Sequence, residues 1–112
     1  MKAALLLVAL LLSPIRVLAA DSFFTGHDLY RHLTAGDGTA GIMYIVGVVD
    51  ATATFERWNA VSKLYCLPNG LNGDNLRDLM KKELEVNALQ RPQPAGFLVV
   101  NMLVSSFPCK TP

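Results

Sequence analysis

The chain is short of the residues that carry catalysis. Of its 112 residues, two are histidine, two are cysteine and one is tryptophan. His27 and His32 are five apart, a spacing that does not set two metal ligands side by side on a helix. No Ser, His and Asp set, no cluster of metal-ligating residues and no phosphate loop stands out. A small hydrolase is therefore a poor reading, and no catalytic, metal-binding or cofactor-binding residue is assigned. Runs of like charge, internal repeats and low-complexity tracts are missing too. Without Lys2 and Arg16, eight basic residues face nine acidic ones. That balance argues against a nucleic-acid partner, because neutralising phosphates needs a basic surface.

Long apolar runs are scarce beyond the first residues. Met1-Lys2 is a short positive start, Ala3 to Leu12 is unbroken apolar sequence, and Ser13-Pro14 interrupts it. Val17-Leu18-Ala19 supplies a small-residue cleavage pattern, which completes the layout of a secretory signal peptide over 1–19. Cleavage after Ala19 fits best, and after Ala20 nearly as well. The run is too short for a membrane anchor, which needs about 20 residues. No cysteine follows the cleavage site, so a lipoprotein is not expected. Residues 20–112 then read as a single small exported domain with no membrane association after signal cleavage. In an exported chain Cys66 and Cys109 are expected to pair. The alternative, a nucleophilic cysteine with a distant histidine, has no flanking motif in its favour.

Helix signals recur along the rest. Thr25 and Asp28 resemble a capping box, with Phe24 placed as a staple and Leu29 and Leu33 on one face. Ala35 to Gly38 reads as a turn, with Asp37 or Thr39 available to cap the next helix. From Gly41 to Cys66 no proline intervenes. Ile42, Ile45, Val46, Val48 and Val49 favour strand by propensity, but strict alternation is absent and the run is long. Read as a helix, Val48, Ala51, Phe55 and Trp58 form one apolar stripe, extendable through Val61 and Tyr65. Ile42, Ile45 and Val49 form a second, which predicts a buried central helix to about Phe55. Glu56 to Tyr65 continues it, or breaks into a loop or short second helix. Gly47 is expected to admit close approach by another helix, and Asp50 to need a partner if buried.

Pro68, Asn69 and Gly70 mark a turn, and Asn72 an N-cap with Asp74 in the first turn after it. The next helix, Gly73 to about Val86, places Leu76, Leu79, Met80, Leu84 and Val86 inward. Arg77, Asp78, Lys81, Lys82 and Glu85 read as a solvated face. Asn87 to Pro94 is a connection, and a last apolar helix runs from Pro94 towards Phe107-Pro108-Cys109. The fold class is all-α, a small compact bundle of about four to five helices with one disulfide.

Three stretches in this order carry a family resemblance. They are Tyr44-Ile45-Val46-Gly47-Val48-Val49-Asp50, then Cys66-Leu67-Pro68-Asn69-Gly70 before an amphipathic helix, then Phe107-Pro108-Cys109. Behind a signal peptide they resemble the Rap/Tai immunity proteins of bacterial type VI secretion. Relatives carry four cysteines; the two missing here fall near Leu33 and at Gly41, absent together as one lost bridge. The resemblance implies a periplasmic, often homodimeric helical protein that binds a peptidoglycan amidase toxin and puts a surface loop into its active site. It implies no enzyme activity and no cofactor. Tyr44, Gly47, Asp50, Pro68, Phe107 and Pro108 are then scaffold. Contact is expected from two loops, Asn69, Gly70 and Asn72 in one and Gln90, Arg91 and Gln93 in the other. Arg91 leads, because Arg suits desolvated interfaces. A periplasmic acid-stress chaperone and a scaffold domain without a toxin partner are the competing readings.

Overall fold

The structure, a computed structural model, describes residues 23–110. The expected signal peptide and its cleavage site lie outside these residues. Four α-helices follow one another: α1 (Gly26–Thr34), α2 (Thr39–Arg57), α3 (Gly73–Val86) and α4 (Ala95–Ser106). A single 3-10 turn, Ala88–Gln90, follows α3. The described residues hold no strand, only an isolated bridge between Thr25 and Pro94. The all-α class and the one disulfide, Cys66–Cys109, are as the sequence indicated.

Each helix starts where its local chemistry places it. At α1 the Thr25 amide donates to Asp28 Oδ2 over 2.9 Å, and the Asp28 amide donates to Thr25 Oγ1 over 3.3 Å. This reciprocal pair satisfies two amides that a helix start leaves orphaned. Asn72 and Asn75 repeat the device at α3, over 2.9 and 3.1 Å. Before α2 it is Asp37 whose carboxylate accepts from the Thr39 amide at 3.0 Å, while Gly38 holds the cap position at φ 75°. Pro94 precedes α4, whose first amide, from Ala95, donates to the Phe24 carbonyl at 2.9 Å.

The core gathers one face from each helix: Leu29 and Leu33, Ile45, Leu76, Met80 and Leu84, then Ala95, Leu98, Val99, Met102 and Leu103. Tyr65, from the loop after α2, closes it at one end. There the disulfide joins Cys66 to Cys109 with 4.9 Å between the Cα atoms, and the Cys66 amide donates to the Phe107 carbonyl at 2.8 Å.

Helix α2 touches α1, α3 and α4, yet it is less buried than its composition suggested. The stripe Val48, Ala51, Phe55 and Trp58 is not a core stripe. Val48 is half-buried, Ala51 is exposed, and Phe55 and Trp58 are 47% and 70% exposed. The reason is which face is covered. Nineteen residues make α2 about 28 Å long. Ile45, Val49, Thr52 and Glu56 share the covered face, the last two against the chain that returns through Leu64 and Tyr65. Gly47 and Asp50 lie on the side of α2 away from Ile45, Val49 and Thr52 and are exposed, so neither belongs to a buried face. No atom approaches within 4 Å of where a Gly47 Cβ would be, and no helix uses that gap. Tyr44 is half-buried, stacked on Phe24 at 4.9 Å between ring centroids. Burial pushes its phenol pKa up. Val86, expected inward, is 70% exposed at the end of α3. Arg77, expected on the solvated face, is half-buried and donates to the Asp37 carbonyl at 3.1 Å, which ties α3 to the turn before α2.

Candidate partner-binding surface

The six residues expected to make contact fall in two places. Asn69, Gly70 and Asn72 are exposed ahead of α3, with Gly70 in a turn at φ 82°. Gln90 and Gln93 are exposed beyond its other end. Fourteen residues of α3 separate the loops by about 21 Å, so they do not form one site.

Two of the six are already engaged within the fold. Asn72 is the N-cap described above. Arg91 is half-buried, with its guanidinium carbon 4.2 Å from the Tyr30 ring centroid and Nε donating to the Leu84 carbonyl at 2.7 Å. Tyr30 in turn donates its hydroxyl to Glu85 Oε1 at 3.1 Å. The Arg91 carbonyl accepts from the His27 amide at 3.0 Å. Arg91 thus joins the end of α3 to the start of α1. The guanidinium's remaining N–H groups are the part of it open to a partner.

A third surface went unrecognised in the sequence. The end of α2 and the loop after it carry Phe55, Trp58, Val61, Leu64 and Leu67, each between 37% and 70% exposed. Phe55 and Trp58 meet edge to face, centroids 6.1 Å apart at 76°. The segment is held in shape despite its exposure. Asn59 takes the left-handed conformation at φ 56°, its amide donates to the Glu56 carbonyl, and the Ala60 amide donates to the Phe55 carbonyl at 2.9 Å. Those two bonds are the Schellman stop. The Leu64 amide then donates to Glu56 Oε1 at 3.3 Å. Tyr65 anchors the return, its hydroxyl bonded to Thr52 Oγ1, which donates to the Val49 carbonyl at 2.9 Å. Burial raises the Tyr65 pKa and the Thr52 bond partly opposes that.

Shallow depressions flank this knuckle. One is lined by Asp50, Ala53, Thr54, Arg57 and Trp58, the other by residues that include Glu56, Lys63, Tyr65 and Leu67. Trp58 lies beside Arg57, and Trp and Arg are residue types enriched where interfaces carry most of their binding energy. No local signal in the sequence marks the knuckle, because Phe55 and Trp58 stand at the same helical spacing as core residues would.

The described residues contain no group of three or more His, Cys, Asp and Glu able to hold a metal, and no free cysteine. None of the described helices is long and apolar enough to cross a membrane. The family model for Rap1a immunity proteins matches residues 25–109. No curated protein and no solved structure matches the chain.

Proposed function

We propose, from the premise that this chain belongs to the Rap1a family of immunity proteins, that it protects its cell by occluding the active site of a peptidoglycan amidase delivered by type VI secretion. Membership of an immunity family implies an inhibitor that binds a cognate effector, and the match over residues 25–109 carries the reading. The amidase as target, the periplasm as the place of action and a homodimeric state are the finer parts of the proposal. They rest on the resemblance of the three motif stretches and on the signal-like N-terminus.

Inhibition of this kind needs a pre-shaped surface rather than catalytic groups, since ordering a loop on binding costs affinity. The knuckle at Phe55 and Trp58 has that property, with its stop, its Glu56 bond and the disulfide close behind. We place the principal contact there. Asn69 and Gly70 lie ahead of α3, whose start packs on Ile42 at the start of α2, and Gln90, Arg91 and Gln93 lie at the far end of α3; each loop fits a further contact.

The test is co-expression in the periplasm of a candidate peptidoglycan amidase effector, with and without this protein, read as survival. Rescue by this protein and not by distant relatives is expected. No rescue, together with suppressed aggregation of unrelated proteins at low pH, supports the chaperone reading instead. Trp58→Ala is expected to leave the melting temperature unchanged and to weaken effector binding about tenfold to a hundredfold. Unchanged affinity removes the knuckle from the interface. Arg91→Glu must be read with a melting curve, because Arg91 also holds Tyr30 and the Leu84 carbonyl.

A further inference from the structure

Two Asn-Gly pairs stand three residues apart, Asn69-Gly70 and Asn72-Gly73. Chemically they are equivalent sites for succinimide formation, because a following glycine leaves the attacking backbone nitrogen unhindered. Structurally they differ in every respect that controls the reaction. Asn69 is exposed in a turn, and no atom lies within 4 Å of where a Gly70 Cβ would stand. There is room for the ring and for water. The Asn72 carboxamide oxygen is held by the Asn75 amide at 2.9 Å, and the Asn72 amide by Asn75 Oδ1 at 3.1 Å. Gly73 is the first residue of α3, and a Cβ there would lie 2.7 Å from Ile42 Cγ2. Closing a ring at Asn72 means breaking the cap and lifting Gly73 from α2.

We infer that Asn69 is a site of spontaneous deamidation and that the α3 cap protects Asn72 from the same fate. The Gly70 nitrogen, its proton lost to solvent base, attacks Asn69 Cγ. A nitrogen–carbon bond forms, and the side-chain nitrogen takes up a proton and leaves as ammonia. Water then opens the succinimide at one or other carbonyl, leaving aspartate or its β-linked isomer. The chain gains one negative charge, and in the β-linked product one extra backbone carbon, within the loop that joins Cys66 to α3. If the loop of Asn69 touches the effector, which rests on the proposed function, ageing alters that contact. The chemistry itself does not depend on that reading.

The experiment is incubation of the disulfide-bonded protein at mildly alkaline pH, followed by reduction, trypsin digestion and fragmentation of the peptide 64–77. Conversion at Asn69 should outrun that at Asn72 by about tenfold or more in the folded protein, because Asn72 reacts only through local opening of α3. In urea the two rates should converge. Asn75→Ala removes the reciprocal cap bond and should raise the Asn72 rate with little change at Asn69. Equal rates in the folded protein, faster reaction at Asn72, or no reaction at Asn69 while the unfolded chain converts would each overturn the inference.

Discussion

Two glycines of α2 have opposite reasons for being glycine. A Cβ at Gly41 would lie 2.6 Å from Leu33 Cδ2 and 2.9 Å from the Leu33 nitrogen, and Leu33 is 3% exposed. The absent side chain is what lets α1 and α2 close on each other. Gly41→Ala should lower stability by about 1–3 kcal/mol despite its better helix propensity, since overpacking outweighs it. Leu33→Ala should cost about 2–5 kcal/mol alone, and the double variant less than the two together, because the small leucine substitute makes room for the new methyl. Gly47→Ala, with nothing nearby, should stabilise by about 0.5–1 kcal/mol. Urea unfolding of the four variants decides all of these. A stabilising Gly41→Ala would mean that the helices have slack where the fold shows none.

At the scale of the element, α1 is governed by its first turn. The Thr25 amide holds the Asp28 carboxyl below its ordinary pKa, with the Thr25 hydroxyl and Arg31 adding to the effect. Asp37 is lowered likewise by its bonds from Thr39 at the start of α2. In the window between the folded and unfolded values the unfolded chain binds more protons, so stability rises with pH there. The contribution is complete above the ordinary aspartate pKa, about 3.9, and fades as pH falls through the lowered folded values. Urea midpoints should therefore drop with acidification below about pH 4, and Asp28→Asn should flatten that slope. An unchanged slope would mean that other carboxylates carry the acid sensitivity. Helix α2 shows the other side of an element's dependence on its context. Its start obeys its cap and its end obeys Asn59, but which of its faces is buried was set by α1, α3, α4 and the chain returning through Leu64 and Tyr65.

For the whole molecule the disulfide matters most. Forty-three residues of sequence separate Cys66 from Cys109, and the bond fastens the irregular chain after α2 to the end of α4. Closing a loop of that length removes unfolded-state entropy worth about 4 kcal/mol. A domain this small has only about 5–15 kcal/mol of total stability. Reduction, or Cys66→Ala, Cys109→Ala or both, should lower the melting temperature by about 20 °C. The three variants should agree, because each removes the same loop. A double variant much worse than either single one would point to packing by the sulfurs rather than to the bond. Since Tyr65 precedes Cys66, reduction should also loosen the Phe55–Trp58 knuckle, which hydrogen exchange at Ala60 and Leu64 would report.

The sequence by itself determined what neighbouring residues decide among themselves. The capping box at Thr25, the N-cap at Asn72, the Asn69-Gly70 turn and the inward Leu76, Met80 and Leu84 of α3 were legible because each depends on bonds or faces within a few positions. The cysteine pair was legible too, since an exported chain with two cysteines has one bridge to form. Tertiary structure alone decided which apolar residues stay outside. Phe55 and Trp58 fit a helical stripe as well as any core residue does, but the fold covers a different face of α2, that of Ile45, Val49, Thr52 and Glu56. Which stripe is covered depends on the neighbours that assemble around the helix, and that choice, rather than any motif, leaves Phe55 and Trp58 outside.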